Sequence, residues 1–313
     1  MIAMRVSASP LYAATISGND QRMASITDLL AQGRTLSFEF SAPRDEDGAL
    51  RLDRTLTRLS ELRPSFMSVT YGAGGSTRGP THDVVRHIEV DLGVTTMPHL
   101  TCVAHTREEI EGIVERYRAL GTQNILALHG DVPLDAPDHP TGDFTRAIDL
   151  VGFIRERAPF AIGVAAHPEG HPRAESRAAD LDHHVEKLRA ADFAMTQFLF
   201  RAEYYERFVE EMAARGVTIP VIPGVMPPTN VEGLARMSAM NNTEFPADLR
   251  ARLEACGDDA AARREVATDV ATRLCEELLA AGAPGVHIYT LNFSEPARTI
   301  ARNLEAALGR VEA

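Results

Sequence analysis

From residue 35 onward, short β-rich runs alternate with stretches whose apolar residues recur at helical spacing. Eight runs of six to eight residues read as strands: 35–40 (TLSFEF), 65–71 (SFMSVTY), 95–102 (TTMPHLTC), 123–128 (QNILAL), 160–166 (FAIGVAA), 193–198 (FAMTQF), 218–223 (TIPVIP) and 285–290 (GVHIYT). Between them, Val84, Val85, Ile88 and Leu92 share one helical face, as do Ile110, Ile113, Val114, Tyr117 and Leu120. Strands alternating with helices predict parallel βαβ units. Eight such units predict an α/β fold of the (β/α)8 TIM-barrel type. Residues 229–282 hold two or three helices, one over 259–281, which read as extra helices before the last strand. A doubly wound open sheet fits less well, because no glycine fingerprint follows the first strand. Residues 1–20 read as an extension of little structure, and 21–313 as one catalytic domain.

In a barrel the chemistry gathers at the C-terminal ends of the strands. Glu39 stands there on the first strand, and alternation puts Ser37, Glu39 and Ser41 inward and Leu36, Phe38 and Phe40 outward. The other strand ends give Thr70 and Tyr71, His99 and Thr101, His129, Gly130 and Asp131, His167 with His171, Gln197, and Tyr289 with Asn292. Seven of eight strand ends therefore bring polar or ionisable groups to one mouth. GAGGSTRG, at 72–79, is neither a Walker loop nor GxGxxG, and reads equally as a plain or a ligand-facing loop.

Composition narrows the chemistry. The 313 residues carry a net charge of −12, which argues against nucleic acid or an anionic membrane as partner. Lys187 is the one lysine among 32 basic residues, and it lies in a helical run, not on a strand as a Schiff-base aldolase requires. Cys102, Cys256 and Cys275 are too scattered for a disulfide scaffold or zinc ribbon, which fits a reducing cytoplasm. No apolar run approaches the ~20 residues of a membrane span, and the N-terminus lacks signal-peptide character. In HPEGHP (167–172) the prolines and glycine forbid the helix that an HExxH zinc pair needs. No metal site is expected, although a metal-dependent barrel hydrolase using His99, His167, His171 and Asp131 stays as an alternative.

Several motifs carry a family resemblance. SFEF, FMSVTYGAGGSTR, PHLTC, the GD of LHGD, HPEGHP, TQFLF, VIPGVMP and YTLN occur in order, each at a strand end. Across roughly residues 34–310 the chain resembles the methylenetetrahydrofolate reductases. The resemblance implies a TIM barrel, cytoplasmic one-carbon metabolism, and reduction of 5,10-methylenetetrahydrofolate to 5-methyltetrahydrofolate with a reduced nicotinamide. It implies that Glu39 is the acid that opens the folate's five-membered ring and that Asp131 stabilises the resulting cation. General acid catalysis of this kind contributes ~10²–10⁴-fold, and a partly desolvated carboxyl holds its proton to higher pH. The resemblance further implies that Gln197, Tyr289, Leu291 and Asn292 contact the folate. The cofactor side is assigned in the same way to Thr70, Tyr71, His99, His129, Gly130, His167, His171, Asp180, Lys187 and Met237.

Most of that family carries FAD, and this chain departs from the pattern where FAD is held. His129 replaces an arginine, Arg146 a tyrosine and His167 a tyrosine, while His183 and Glu186 replace asparagine and arginine. Two arginines suited to a diphosphate are lost, and one position becomes acidic. Thr70, His99, Asp180 and Lys187 match. The expectation is direct hydride transfer from NADH, or NADPH, without flavin; the alternative is the same reaction through bound FAD. A deazaflavin donor stays open. On the folate side, Phe293 replaces an arginine, and Gly233 and Met237 stand where glutamine and phenylalanine are usual. A silent folate-binding barrel fits less well, because Glu39, Asp131 and Gln197 are all retained.

Overall fold

The computed structural model describes residues 23–72, 78–131 and 142–309. Eight parallel strands close into a barrel in chain order. They are β1 (Thr35–Ser41), β2 (Phe66–Thr70), β3 (Thr96–Thr101), β4 (Asn124–Leu128), β5 (Ala161–Ala166), β6 (Phe193–Phe198), β7 (Val221–Val225) and β8 (Gly285–Tyr289). Pairing of Thr35 with Gly285 through Glu39 with Tyr289 closes the ring. The surrounding helices include α2 (Glu46–Ser60), α3 (Arg78–Arg86), α4 (Arg107–Leu120), α5 (Ala147–Arg155), α6 (Arg177–Ala190), α7 (Ala202–Ala213) and α11 (Ser294–Asn303). α3 runs on into a π-helical turn, His87–Asp91. Three helices precede the last strand: α8 (Val231–Asn241), α9 (Ala247–Glu254) and α10 (Ala260–Ala280). They share a core with Phe198, Phe200 and Met226 from the β6 and β7 ends.

Seven strands lie where the alternation places them, but β7 begins and ends later than 218–223. Pro220 has no N–H to start a ladder, so pairing begins at Val221. It then continues through Gly224 and Val225, which face His287 and Ile288 of β8. Gly224 is required there, because a Cβ would run into the Tyr289 ring. The sequence pattern also missed α1 (Ile26–Gln32), capped by Ser25, whose Oγ accepts from Asp28 N at 3.1 Å. This helix plugs the base of the barrel. Ile26 is buried among Phe66, Met97, Leu126, Phe193, Met195 and Ile222. Its N–H donates to Asn124 Oδ1 at 2.6 Å, and Asn124 Nδ2 donates to the Ala24 and Thr96 carbonyls, each at 3.1 Å.

Alternation fixes the two faces of β1. Leu36, Phe38 and Phe40 are buried with Leu52, Leu56 and Leu59 of α2 and Ile300 of α11. Each such side chain contributes about 1.5–3 kcal/mol by leaving water. The inward positions change from apolar at the base to Ser37, Ser68 and His287, and then to Glu39, His99, Gln197 and Tyr289 toward the mouth. Residues 1–20 and most of the glycine-rich stretch (73–77, with the Arg78 side chain) lie outside the described residues.

Candidate active site

Glu39 is anchored by its backbone. Its carbonyl accepts Thr290 Oγ1 at 2.6 Å and Thr290 N at 3.3 Å. Its side chain is 15% exposed, and Oε2 lies 3.4 Å from His99 Nε2 and 3.5 Å from His287 Nε2. The 3.4 Å approach lacks hydrogen-bond geometry, so His99 Nε2 is a buried nitrogen without a hydrogen-bond partner among the described residues. Burial pushes the His99 imidazole below its ordinary value, against the pull of Glu39, so the ring is neutral at neutral pH. His287 is fixed from several sides. Its Nδ1 pairs with Ser37 Oγ at 2.7 Å and its Nε2 with Ser68 Oγ at 3.2 Å. The ring stacks on Phe66, with centroids 6.0 Å apart, and meets Tyr289 edge-on at 5.4 Å. The Tyr289 hydroxyl donates to Thr196 O at 2.8 Å, and burial pushes that phenol well above its ordinary value. Among the described residues no arginine or lysine pairs with the Glu39 carboxylate.

Gln197, Asn292 and Leu291, which the resemblance assigns to the folate, are held by the barrel itself. A register irregularity between Met195 and Phe198 marks the end of β6, where Gln197 sits. Gln197 Nε2 donates to Asn241 Oδ1 at 2.9 Å, and its Oε1 accepts Phe198 N at 2.9 Å. One N–H and one lone pair remain for a ligand. Met237 carries the carbonyl that orients Asn241, at 2.9 Å. Asn292 is used differently: its amide bonds both Ser41 N and Ser41 O at 2.9 Å, tying the β8 turn to the end of β1. Leu291 and Asn292 both take left-handed backbone, with φ of 50° and 62°, and Leu291 points outward at 42% exposure. Thr70 O accepts from Thr81 Oγ1 at 3.1 Å, and the Tyr71 hydroxyl pairs with His105 Nε2 at 3.1 Å.

The opposite flank is built on loops and α6. Asp131 is 86% exposed, with Arg173 Nη2 at 3.5 Å. His129 Nδ1 contacts Gly130 O at 2.8 Å. Gly130 has φ 87°, and a Cβ there would collide with Thr101. The His167 backbone N–H donates to His184 Nε2 at 3.0 Å, which leaves Nδ1 of His184 as the donor to Asp180 O at 2.8 Å. His167 and His171 stack edge-on at 4.6 Å. Burial pushes both below the ordinary histidine value, aided chiefly by Lys187 for His167 and Arg173 for His171. Burial would raise the Asp180 carboxyl, but hydrogen bonds from the His184 side chain and the His171 backbone N–H, with the neighbouring His167, hold it below its ordinary value. Burial lowers Lys187 to about 8, opposed by Asp180. Its ammonium has no hydrogen bond or ion pair among the described residues. Arg146, by contrast, is engaged: Nη1 lies 2.8 Å from Glu186 Oε2, and Nη2 lies 3.9 Å from Asp149.

The structure thus brings Glu39, His99 and Tyr289 together, places Gln197 with Asn241, and gathers His167, His171, Asp180 and Lys187 on a separate flank. Among the described residues no group of three or more His, Cys, Asp and Glu side chains gathers as a metal site. Sequence reasoning missed His287, although the alternation that turns Glu39 inward on β1 turns His287 inward on β8. It also missed Asn241, for which helix α8 offers no pattern.

These features define a (β/α)8 barrel whose ionisable side chains converge at the C-terminal mouth. The family model described as methylenetetrahydrofolate reductase matches residues 23–305. The chain belongs to the methylenetetrahydrofolate reductase family of oxidoreductases. It is 37% identical over 270 residues to the 5,10-methylenetetrahydrofolate reductase of Salmonella typhimurium, covering 86% of this chain and 90% of that one. It is 37% identical over 294 residues to Arabidopsis thaliana methylenetetrahydrofolate reductase (NADH) 1, covering 89% of this chain and 50% of the plant protein. A solved Clostridium thermocellum protein, described as binding two copies of 5-methyl-5,6,7,8-tetrahydrofolic acid, superposes with a TM-score of 0.61. At 13% identity, with 90% of this chain and 98% of that one covered, it shows the shared fold alone. No described helix is long and apolar enough to cross a membrane.

Proposed function

We propose that this protein reduces 5,10-methylenetetrahydrofolate to 5-methyltetrahydrofolate, taking hydride from NADH without a flavin relay. The observation that carries the reading is Glu39: an inward carboxyl at the barrel mouth, 3.4 and 3.5 Å from two imidazoles, with no paired cation among the described residues. The bond between the methylene carbon and N10 breaks, and its electron pair takes the proton from Glu39. The methylene is left as an iminium on N5. Hydride from the nicotinamide adds to that carbon, giving the N5-methyl group and NAD⁺. Gln197, oriented by Asn241, offers its spare donor and acceptor to the pterin. Asp131 is the counter-charge for the cation and must exchange Arg173 for it.

The flavin-free route is supported by the state of the cations. Arg146, the residue best placed to replace the lost arginines, is already matched to Glu186. Among the described residues of that flank, Lys187 keeps its ammonium out of any hydrogen bond or ion pair, with Asp180 acting on it only at longer range. One ammonium among neutral imidazoles is a poor match for the diphosphate and ribityl chain of a resident FAD. The retained pair of Asp180 and Lys187 favours a second reading, in which FAD still binds and relays the hydride.

The test uses purified protein with no added flavin, supplied with methylenetetrahydrofolate and either NADH or NADPH. Consumption of NADH matched by 5-methyltetrahydrofolate is expected. No methyl product with either nicotinamide, with or without FAD, sinks the reductase reading.

A further inference from the structure

Gln197 is the middle member of a short relay of amides. Met237 O accepts from Asn241 Nδ2, Asn241 Oδ1 accepts from Gln197 Nε2, and Gln197 Oε1 accepts from Phe198 N, each at 2.9 Å. The relay ends on a backbone carbonyl at one side and a backbone N–H at the other. Neither amide can turn over without setting donor against donor or acceptor against acceptor. The place of Asn241 therefore decides where the spare donor and acceptor of Gln197 point.

Asn241 is the last residue of α8, a helix with a thin apolar anchor. Leu234 and Ser238 are its two buried residues, Val231 and Met237 are partly buried, and Met240 is 63% exposed. Polar ties at its C-terminal end supply what packing does not. Asn242 caps the helix in left-handed backbone, at φ 54° and ψ 39°. Glycine would meet that conformational need alone, whereas asparagine also brings an amide.

That amide grips the loop after β5. Asn242 Nδ2 donates to the carbonyls of Glu169 and Gly170 at 3.2 and 3.1 Å. Gly170, at φ 104°, leaves room for it, because a Cβ there would lie 3.4 Å from the same nitrogen. The grip is returned from the other side: Glu169 Oε2 accepts from Glu244 N at 2.6 Å. Between these two ties, Thr243 Oγ1 reaches Phe198 O at 3.4 Å, on the residue whose N–H ends the relay. The Glu244 carboxylate is engaged by the Tyr204 hydroxyl and by Arg201 at 3.5 Å. The loop itself is fixed, with Gly170 N donating to His167 O at 3.0 Å and His171 N to Asp180 Oδ2 at 3.3 Å.

We propose that Glu169 and Asn242 are positioning residues for the folate: they clasp the end of α8 to the β5–α6 loop and so keep Asn241 where it aims the Gln197 amide. The proposal rests on the assignment of Gln197 to the pterin. A purely structural clasp would lower the unfolding midpoint when broken and leave Gln197 as it was.

Three variants test it, each checked for folding by circular dichroism. Asn242→Gly keeps the left-handed backbone and removes both amide bonds. Glu169→Ala removes the acceptor for Glu244 N, and Glu169→Gln restores an acceptor oxygen. The first readout needs no ligand. In proton–nitrogen correlation spectra the Gln197 side-chain amide is identified by its absence in Gln197→Ala. It is expected to shift in Asn242→Gly and Glu169→Ala and to return to the wild-type position in Glu169→Gln. The second readout is titration with 5-methyltetrahydrofolate. Affinity is expected to fall about tenfold in Asn242→Gly and Glu169→Ala, with no further fall when either change is added to Gln197→Ala. An unmoved Gln197 signal in the folded variants overturns the proposal, as does an equal loss of affinity in the Gln197→Ala background. Failure of Glu169→Gln to restore the signal overturns the part given to Glu169. Neither readout needs turnover, so failure of the reductase reading appears separately, as wild-type protein that binds 5-methyltetrahydrofolate but forms none. Wild-type protein that does not bind it removes both.

Discussion

On the β8–β1–β3 side of the mouth, Glu39, His99, His287 and Tyr289 all stand on strands. Their direction is set by the pleat, and the His287 ring and the Tyr289 hydroxyl are locked by Ser37, Ser68, Phe66 and the Thr196 carbonyl. On the β4–β6 side, His129, Asp131, His171, Arg173 and Lys187 stand on loops and a helix. There the positions depend on which charge finds which partner: among the described residues Arg146 takes Glu186, Arg173 takes Asp131, and Lys187 makes no ion pair. A strand-built acid is hard to alter without disturbing the barrel. A loop-built anion site can be rewired by single exchanges of charge. On the proposed function, a strand-built acid is the part expected to stay in place and the loop-built dinucleotide side the part expected to vary.

The sharpest way to break this contrast is to remove the acid. Glu39→Gln keeps the shape of the side chain but cannot supply the proton, so kcat is expected to fall ~10²–10⁴-fold while folate affinity is retained. Normal turnover in that variant would remove Glu39 from the mechanism. A smaller effect tests how firmly β1 is held. Asn292→Ala loses two bonds to Ser41 and puts alanine at φ 62°, which should cost about 1–2 kcal/mol in chemical denaturation. An unchanged midpoint would show that the β8 turn does not hold β1.

Lys187 probes the other flank. Its proton is lost near pH 8, so the KM for NADH is expected to rise as pH passes that value. Lys187→Met should raise KM about tenfold below pH 8 and flatten the profile. A variant with the wild-type pH profile would place the dinucleotide phosphates elsewhere. The last expected effect lies outside the mouth altogether. Glu89 is buried between Thr96 Oγ1 and Thr122 Oγ1, and burial raises it to about 7 against both hydrogen bonds. The folded protein then keeps a proton that the unfolded chain releases at about 4.5. Stability from this group is therefore lost as pH rises from about 4.5 to 7. Glu89→Gln should remove that slope, gaining about 2 kcal/mol relative to wild type between pH 5 and pH 8. Parallel pH–stability curves for the two proteins would contradict it.

The barrel was legible because its strands are short, β-rich and regularly spaced by helical patterns. Glu39 was legible because a two-residue period leaves no choice of face once Phe38 and Phe40 are buried. His287 obeys the same rule and was passed over, since a histidine within GVHIYT attracts less notice than a carboxylate between phenylalanines. The start of β7 was misplaced because TIP is β-rich, yet Pro220 has no N–H to give the ladder. Helix α1 was not legible: seven residues carry too few apolar positions to show a period. Nor could the pairing of Arg146 with Glu186 be read, because 40 residues separate them and only the packing of α5 against α6 brings them together.

The contrast between the flanks meets its most direct test in initial rates measured with NADH and methylenetetrahydrofolate varied together, on protein without flavin absorption near ~450 nm. Direct transfer needs both substrates bound at once, so intersecting double-reciprocal lines are expected. Parallel lines, the ping-pong pattern, obtained only when FAD is restored, would contradict the account.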